Sequence, residues 1–597
     1  MNSETKTCQN CKNQFTIEPE DFNFYQKIQV PPPTWCPECR LIRRLAWRNE
    51  STFYKRKCDA PGHSEETISM FSKDKPFIVY DQKFWWSDQL DKGAVSQDYD
   101  FSRTFFEQFR KLMQKAPLPA LSTNYSTIIN SDYSNWAGDL KNCYLVVDAD
   151  FTQDSAYGSG WVYCKDCIDN DFIRQCELCY FGFDLEKCYR TFYSVSCKDC
   201  NEVYFSKDCI GCSNCFGCVN LRNKKYFIFN QPFSKEEYGK ELKRFNLNSY
   251  AGIMEARKRA AELWMKYPKK NYRGTHNVNA QGDYVYHSKN VRYGFLITDV
   301  EDSKFIALTH SKPTKDCYDY TDWGDNAHLI YDAIAVGLGA TNIKFSHLIF
   351  NDVRDIEYSY FCSRSSNLFG CVGLTDKHYC ILNKQYTKDD YFMLREKIIK
   401  HMDEMPFIDK GDRTYRYGEY FPQEISPFAY NETVVQEYFP LTKEGVKTHE
   451  FSWKDAEERN YQITKHPIDL ADCIDEATDD ILKDIIGCEH KGDCNEKCTV
   501  AFRIIPQELQ FYKRMNLPIP RLCPNCRHYE RLKHRNPLRL WHRKCTCAGE
   551  KSENGVYANT IKHFHGLEHC PNEFETSYAP ERQEIVYCEQ CYQAEVV

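Results

Sequence analysis

Four cysteines near each end of the chain have the spacing of metal ligands. In chain order they are Cys8, Cys11, Cys36, Cys39, Cys494, Cys498, Cys523 and Cys526. Structural zinc is held by four thiolates in a tetrahedron, and the short turn of a C-x2-C pair brings both sulfurs to one ion. Two such pairs, about 25 residues apart, can close one site. The sequence therefore predicts a four-cysteine zinc ribbon at each end.

The two ends also repeat each other. A constant offset of 487 residues maps the first ribbon onto the second without a gap, from Cys11 as far as Cys58. The first ligand is the exception, because Cys494 stands one place before the position equivalent to Cys8. A C-x3-C pair can serve the same purpose as C-x2-C. Cys488 and His490 are alternative, spare ligands of the second ribbon, and we disfavour them.

A third cysteine group follows the second ribbon. We predict that it binds a third zinc ion through Cys545, Cys547, Cys588 and Cys591, with Cys570 as the main alternative ligand. The histidines between these cysteines are His563, His565 and His569.

The N-terminal copy differs at this third group. Its segment 71–86 resembles segment 578–593, but Asp81 and Phe84 occupy the places of two cysteines. The sequence therefore predicts that the N-terminal copy has no second metal site and that Cys58 is a buried thiol.

Both ends resemble a family described as a probable zinc-ribbon domain, found in small bacterial proteins. Its pattern runs C-x2-C-x3-F, then a Phe-Tyr pair, then a Pro shortly before C-P-x-C-R. The first copy matches at Cys8, Cys11, Phe15, Phe24, Tyr25, Pro33, Cys36, Pro37, Cys39 and Arg40. The second copy matches at Cys498, Phe502, Phe511, Tyr512, Pro520, Cys523, Pro524, Cys526 and Arg527. The whole chain resembles bacterial proteins with several zinc ribbons. The resemblance implies structural zinc and no particular activity.

The middle of the chain contains a second duplication. Residues 213–238 align with 366–391 at an offset of 153, and each segment ends a long run of short strand-like stretches. Polar Lys-Asn or Lys-Asp corners recur every 21 to 24 residues in the first run. This pattern predicts a parallel β-solenoid with about 20 residues per turn. A β-sandwich, which also has closely spaced strands, is the alternative.

Twelve cysteines lie between Cys143 and Cys218, and they have two interpretations. Several form C-x2-C pairs, which favours zinc. A ladder of buried thiols is the other interpretation, because free cysteine is a small and commonly buried side chain. In the second repeat Leu368 replaces Cys215, so the same shape is expected without the sulfur. We therefore favour the ladder.

These patterns predict a mainly β protein with helical links, in which two tandem parallel β-solenoid-like units are flanked by zinc ribbons. The predicted segments are 1–95 (N-terminal zinc-ribbon unit), 96–232 (helix and first cysteine-rich solenoid), 233–271 (helical link), 272–385 (second solenoid), 386–487 (helical and polar connecting region) and 488–597 (C-terminal double zinc-ribbon unit).

The expected compartment is the cytoplasm. The sequence has no apolar run of the ~18 residues that a membrane span needs, and its first residues lack the apolar core of a secretory signal. In a reducing compartment, 32 cysteines favour metal sites and buried thiols over disulfides. About three structural Zn²⁺ ions are expected.

Three functional classes are weighed. The first is nucleic-acid binding, RNA more than DNA, through arginines spaced along one helix face after each ribbon. These arginines are Arg40, Arg43, Arg44, Arg48, Arg527, Arg531 and Arg535. The alternative is that they pair with acidic groups of the same chain, whose net charge is −7.

The second class, which we favour, is a non-catalytic zinc-binding scaffold for an unidentified macromolecule. The third is a carbohydrate-active enzyme on the solenoid face, where carboxylates and aromatic residues cluster. The cluster comprises Asp316, Tyr318, Asp319, Tyr320, Asp322 and Trp323. The sequence has no P-loop, nucleophile elbow, HExxH or dinucleotide motif, so the expectation leans against an enzyme.

Overall fold

The computed structural model of the chain describes residues 2–309, 313–323, 325–455 and 461–597. The chain forms two compact units, which we name by the ribbon each contains. The N-ribbon unit comprises Met1–Ser122, Tyr272–Lys454 and Leu538–Leu540, and the C-ribbon unit comprises Thr123–Asn271, Asp455–Pro537 and Trp541–Val597. Each ribbon therefore shares a unit with the solenoid that is farther from it in the sequence.

The predicted fold class is confirmed: the protein is mainly β, with a parallel β-solenoid of about 21 turns in all and cysteine-rich ends. In the C-ribbon unit the solenoid strands are Ile128–Ile129, Ser134–Lys141, Tyr144–Gln153, Ala156–Val162, Ile168–Arg174, Phe183–Glu186, Val195–Lys198, Asn201–Tyr204, Ser213–Phe216, Lys225–Ile228 and Gln231–Pro232. In the N-ribbon unit they are Gly274–Thr275, Val278–Tyr286, Lys289–Thr298, Val300–Lys304, Ala307–Thr309, Thr314–Tyr318, Ala327–Tyr331, Ile334–Val336, Thr341–Lys344, His347–Phe350, Arg354–Glu357, Tyr360–Ser363, Ser366–Phe369, His378–Ile381 and Lys384–Gln385.

Each solenoid turn is shorter than predicted. Ala156 pairs in parallel with Ile168, and Ile168 with Tyr180, so the chain advances 12 residues per turn in the C-ribbon unit. The recurrence of 21 to 24 residues in the sequence therefore spans about two turns. The prediction of about 20 residues per turn is wrong because the polar motif on which it was based occurs only about once in every two turns.

The short turn is built from a three-residue repeat. Along the C-ribbon solenoid nearly every third residue has a left-handed backbone, for example Asp139, Asn142, Leu145 and Asp148 at φ of 51°, 54°, 52° and 50°. Twelve residues thus make four sides of three residues each. Asp and Asn recur at these corners because they tolerate the left-handed conformation better than most residues.

Polar side chains stack along the corners. Asn142 Nδ2 donates to Asp154 Oδ1 of the next turn at 2.9 Å, and Asn130 Nδ2 donates to Asn142 Oδ1 at 3.1 Å. In the N-ribbon unit, Asn290 Nδ2 donates to Asp302 Oδ1 at 2.9 Å in the same way. These side-chain ladders run parallel to the backbone bonds between turns.

Helices and short strands cover the solenoids. The helices are Pro19–Ile28, Pro37–Leu45, Gln82–Trp85, Phe105–Lys115, Lys235–Lys243, Tyr250–Met265, Lys388–Glu404, Val435–Tyr438, Lys443–Thr448, Pro506–Met515, Pro524–Leu532 and Glu589–Val596. The remaining strands are Glu4–Thr7, Gln14–Ile17, Tyr54–Lys57, Glu66–Ser69, Val79–Tyr80, Leu118–Pro119, Lys269–Lys270, Phe407–Ile408, Thr414–Tyr415, Ile486–Gly487, Ala501–Phe502, Trp541–Lys544, Glu573–Thr576 and Val586–Tyr587. We call Pro37–Leu45 and Pro524–Leu532 the docking helices; each begins within the second cysteine pair of its ribbon.

Candidate metal centres and docking helices

The N-terminal ribbon brings its four predicted cysteines together. The sulfurs of Cys8, Cys11, Cys36 and Cys39 all lie within 4.8 Å of one another. Cys8 follows strand Glu4–Thr7 directly, and its Sγ accepts a hydrogen bond from the Cys36 amide at 3.2 Å. Cys36 is the N-cap of the first docking helix, and Cys39 lies in its first turn. Four converging thiols of this kind can hold one tetrahedral zinc ion.

The C-terminal ribbon uses a different first cysteine from the one predicted. The sulfurs that converge within 4.8 Å belong to Cys488, Cys498, Cys523 and Cys526. The Cys488 amide donates to Val500 O at 2.7 Å, as the Cys8 amide donates to Asn13 O at 2.8 Å.

A second bond supports this equivalence. Cys488 Sγ accepts from the Cys523 amide at 3.3 Å, matching the bond from Cys36 to Cys8. Cys488 also follows a strand directly, as Cys8 does. The gap-free alignment missed it because the turn between the first two cysteines is longer in this copy. A cysteine directly after a strand is the signal that could have identified it.

Cys494, predicted as a ligand of this ribbon, lies beside the four-cysteine group. Its Sγ is 3.8 Å from Cys526 Sγ. It also belongs to a more exposed group with His490, Glu496 and Cys526. The place that the sequence assigned to Cys494 is therefore occupied by Cys488.

The cysteines after the second ribbon form two groups. Cys545, Cys570, Cys588 and Cys591 converge within 4.8 Å, so Cys570 joins three of the predicted residues. The fourth predicted residue, Cys547, instead converges with a different set of side chains. That second set comprises Cys547, His563, His565 and Cys591.

The N-terminal copy keeps part of this arrangement. Cys58 Sγ accepts from the Asp81 amide at 3.2 Å, as Cys545 Sγ accepts from the Cys588 amide at 3.2 Å. The predicted equivalence of Asp81 and Cys588 therefore agrees with the structure. Cys58 is buried, but its Sγ also lies 3.6 Å from His63 Nδ1. Sequence reasoning missed this histidine.

The arginines of the first docking helix face the protein interior. Arg40, Arg43 and Arg44 are at most 1% exposed, and Arg48 just beyond the helix is fully buried. Arg40 Nη2 lies 2.7 Å from Asp319 Oδ2, and Arg43 Nη2 lies 2.8 Å from Asp332 Oδ2. Arg44 Nη1 lies 2.6 Å from Asp332 Oδ1, and Arg48 pairs with Asp322 and Glu50. Burial alone would lower the pKa of Arg40, but the Asp319 carboxylate raises it above its ordinary value.

The second docking helix has the same orientation. Arg527 Nε lies 3.2 Å from Asp169 Oδ2, and Arg531 Nη1 lies 3.0 Å from Asp169 Oδ1. Arg531 Nε also lies 2.7 Å from Asp171 Oδ2. Both arginines are 1% exposed, whereas Arg535 beyond the helix is half-buried. The six buried arginines predicted to contact nucleic acid therefore contact aspartates of their own solenoid, and their guanidinium groups are not accessible to phosphate in this fold.

The two docking contacts are equivalent. Counted in turns from the aligned ends of the solenoids, Asp169 and Asp319 occupy the same position. The ribbon tyrosines behave alike, since Tyr25 contacts Tyr331 with ring centroids 5.3 Å apart and Tyr512 contacts Tyr180 at 5.6 Å. Each ribbon thus inserts one tyrosine and two arginines at this equivalent place on its solenoid. They are Tyr25, Arg40 and Arg44 in one unit and Tyr512, Arg527 and Arg531 in the other.

The solenoid cysteines are packed as a column of buried thiols. Cys143 Sγ lies 3.5 Å from the carbonyl oxygens of Lys141 and Thr152, and the same two contacts recur at Cys164, Cys176 and Cys188. Burial raises the pKa of Cys143 to about 11, so this thiol is protonated at neutral pH. A protonated thiol that donates to backbone carbonyls acts as a core side chain.

The acidic cluster weighed for carbohydrate chemistry is largely engaged in these contacts. Asp319 and Asp322 pair with docking arginines, and Asp316 Oδ2 pairs with Lys27 Nζ at 2.9 Å. Tyr318 stacks on Phe24, with ring centroids 3.9 Å apart. The sequence could not distinguish these roles, because it does not show which side chains face the ribbon.

The chain was compared with known proteins. No family model matches it, and no curated protein matches it. None of the described helices combines the length and the apolar character needed to cross a membrane.

Proposed function

We propose that the protein is a zinc-stabilised, non-catalytic scaffold whose solenoid surfaces bind another macromolecule. In each unit a zinc ribbon fixes a docking helix, and that helix joins the ribbon to the solenoid. The resemblance of both ends to zinc ribbons supports zinc as the metal, and the converging thiolate groups are of the type that zinc prefers.

One observation carries the proposal: the arginines next to the ribbons point inward. A zinc element that recognises nucleic acid presents its cationic side chains to solvent. Here Arg44 lies within 3.2 Å of both Asp319 and Asp332, at positions where neither carboxylate is exposed. The arginines of the basic segments thus form internal ion pairs, which favours a structural role for the ribbons.

The outer solenoid face offers a surface for a partner. Phe151 and Tyr163, on successive turns, are 49% and 56% exposed and stack with ring centroids 4.7 Å apart. Exposed aromatic side chains are enriched at protein interfaces. This pair is our candidate contact for a macromolecule.

The test combines a metal assay with a binding assay on the intact protein. We expect stoichiometric zinc by inductively coupled plasma mass spectrometry, and loss of the folded state when a strong chelator removes it. We also expect no salt-dependent binding to single-stranded RNA or duplex DNA. Affinity that falls steeply as salt rises would instead support a nucleic-acid-binding protein, and folding unchanged by zinc removal would contradict the stabilising role.

A further inference from the structure

We propose that the segment 545–595 holds two zinc ions bridged by the thiolate of Cys591. The proposal rests on the proposed function in one respect, namely that zinc occupies the cysteine groups. The dinuclear site goes beyond the proposed function by adding an ion that the ribbon pattern does not predict. Cys591 is the residue that belongs both to the four-cysteine group and to the group with Cys547, His563 and His565.

The distances fit two tetrahedra that share a corner. With Zn–S bonds of about 2.3 Å, two thiolates on one ion lie about 3.8 Å apart, and a thiolate and an imidazole nitrogen lie somewhat closer. Cys570 Sγ is 3.8 Å from Cys588 Sγ and 3.6 Å from Cys591 Sγ. In the second group, Cys591 Sγ is 3.4 Å from His565 Nε2, and Cys547 Sγ is 3.1 Å from His563 Nδ1.

Both histidines are held with a free nitrogen toward the second group. His563 Nε2 lies 3.0 Å from Glu595 Oε2, and both side chains are fully buried. His565 Nδ1 lies 2.7 Å from the Glu568 carbonyl oxygen. Each acceptor fixes the ring proton on the nitrogen that faces it, which is Nε2 in His563 and Nδ1 in His565. The other nitrogens, His563 Nδ1 and His565 Nε2, therefore carry the lone pairs that face the cysteines. A histidine whose other nitrogen donates to a carboxylate or carbonyl is the usual arrangement at a metal.

Glu595 is itself held in place. Its Oε1 accepts from the Thr560 amide at 2.6 Å, from Thr560 Oγ1 at 2.7 Å and from the Tyr557 hydroxyl at 3.0 Å. Two amides also point at the thiols, Asn559 Nδ2 at Cys547 Sγ (3.2 Å) and Asn572 Nδ2 at Cys588 Sγ (3.3 Å). These N–H donors suit thiolates better than thiols. Both groups therefore have the supporting hydrogen bonds of a built metal site.

Charge also favours the second ion. Five buried thiolates and two neutral imidazoles around two Zn²⁺ ions leave a single net negative charge, whereas four thiolates around one ion leave two. Less uncompensated charge in a buried site costs less free energy.

The first experiment counts zinc in the intact protein and in two variants. The double variant His563→Ala/His565→Ala should contain one zinc ion fewer per chain than the parent protein. His569→Ala is the matched control, because His569 lies in the same loop and belongs to neither group, and it should keep the parent count. The comparison of variants is more informative than the total zinc count of the protein. Cys526 also belongs to two groups, so the total depends on that second cluster as well. An unchanged count in the double variant overturns the proposal.

The second experiment detects the bridge. After exchange of zinc for Co²⁺, two high-spin ions joined by a thiolate couple magnetically and lose electron paramagnetic resonance intensity per ion. The double variant should recover that intensity, because its remaining ion in this segment is isolated. Equal intensity per ion in the parent and the double variant overturns the bridge.

A third variant tests the positioning role of Glu595. Glu595→Gln should weaken one zinc ion about 10- to 100-fold in competition with a chromophoric chelator and leave the other ions unaffected. Identical titrations for the parent and Glu595→Gln contradict this role. If only the dinuclear centre is wrong, the ribbons still contain zinc and the double variant contains as much zinc as the parent. If the proposed function is wrong, the ribbons of the parent contain no zinc.

Discussion

The two units use the same docking arrangement but differ in the segment that follows the ribbon. In the C-ribbon unit that segment contains converging cysteines and histidines, whereas in the N-ribbon unit Asp81 and Phe84 replace Cys588 and Cys591. Both copies fold the segment with the same backbone bond to the first cysteine, Cys58 or Cys545. The group of four converging thiols and its arginines are therefore common to both units, whereas the segment after it brings together five cysteines and two histidines in one unit and Cys58, His63 and Asp81 in the other.

The solenoid cores differ in a similar way. The core of the C-ribbon unit consists largely of cysteines with a few aliphatic residues, whereas Ile, Val and Leu dominate that of the N-ribbon unit. Cys215 and Leu368 occupy equivalent positions, and both are fully buried. Because the same coil accommodates either side chain, the solenoid needs an inward side chain of suitable size rather than a sulfur atom.

The largest effect is expected from ribbon ligands common to both units. Cys39→Ser and Cys526→Ser should each remove one zinc ion and unfold the unit that contains the mutated ribbon. Structural zinc contributes about 10–16 kcal/mol of apparent binding free energy in small zinc domains, so the remaining contacts should not hold the ribbon. Zinc content and differential scanning calorimetry measure the two consequences.

Cys473→Ser is the control for these variants, because Cys473 is only partly buried and belongs to none of the cysteine groups described above. It should keep both zinc content and melting behaviour. If Cys39→Ser also kept them, the role of the N-terminal ribbon in folding would be refuted.

The next effect distinguishes the first ligands of the two ribbons. Cys488→Ser should lose one zinc ion and lower the melting temperature of the C-ribbon unit, because Cys488 occupies the place of Cys8. Cys494→Ser should change the melting temperature by much less, since its sulfur lies outside the four-cysteine group. Zinc content after dialysis against a weak chelator separates the two variants. The reverse ranking would restore the ligand set predicted from sequence.

This pair of cysteines also shows how far the sequence can be interpreted. Spacing predicted the N-terminal ribbon because its turn has standard length, but a longer turn hid Cys488 from a gap-free alignment. Periodicity predicted the solenoid but gave a turn of about 20 residues, whereas the turn has 12. The arginines were predicted to share one helix face, and the helices contain Arg40, Arg43, Arg44, Arg527 and Arg531, whereas Arg48 and Arg535 lie beyond their ends. Their direction was undetermined, because Asp169 and Asp319 are brought to the ribbons only by folding.

Removal of one docking arginine should have an intermediate effect in both units. Arg44→Ala and Arg531→Ala each remove one of the cations that neutralise buried aspartates, and breaking a buried ion pair typically costs about 3–5 kcal/mol. Urea denaturation measures the loss in the free energy of unfolding. Lys27→Ala is the control, since Lys27 pairs with Asp316 at the surface and exposed pairs contribute about 0–1 kcal/mol. Equal losses for Arg44→Ala and Lys27→Ala would contradict the docking role.

An acid-sensitive contact should distinguish the units from each other. His347 is buried against Trp47 and Tyr360, and burial lowers its pKa to about 3. By turn counting, the C-ribbon solenoid has Val195 at the equivalent position. The unfolded chain takes up a proton at His347 below about pH 6.5 and the folded chain does not, so stability is lost as the pH falls from about 6.5 toward 3.

The loss should be about 2 kcal/mol between pH 6.5 and 5, and His347→Phe should remove it. Thiolates of the proposed zinc sites would also protonate in this range, so the informative quantity is the difference between the variant and the parent in free energy of unfolding. A difference that is constant with pH would show that His347 is not held neutral by burial.

The smallest effect is expected in the cysteine column. Cys215→Ala and Cys212→Ala should leave the zinc content unchanged and lower the free energy of unfolding by only about 1 kcal/mol, since each removes one buried sulfur from a core. Cys215 Sγ contacts the carbonyl oxygens of Ser213 at 3.5 Å and Lys224 at 3.7 Å. Leu368, its equivalent in the other unit, makes the same packing without any thiol. Loss of one zinc equivalent in either variant would show that the column binds metal, and the comparison of the two solenoids would then reflect chemistry rather than packing.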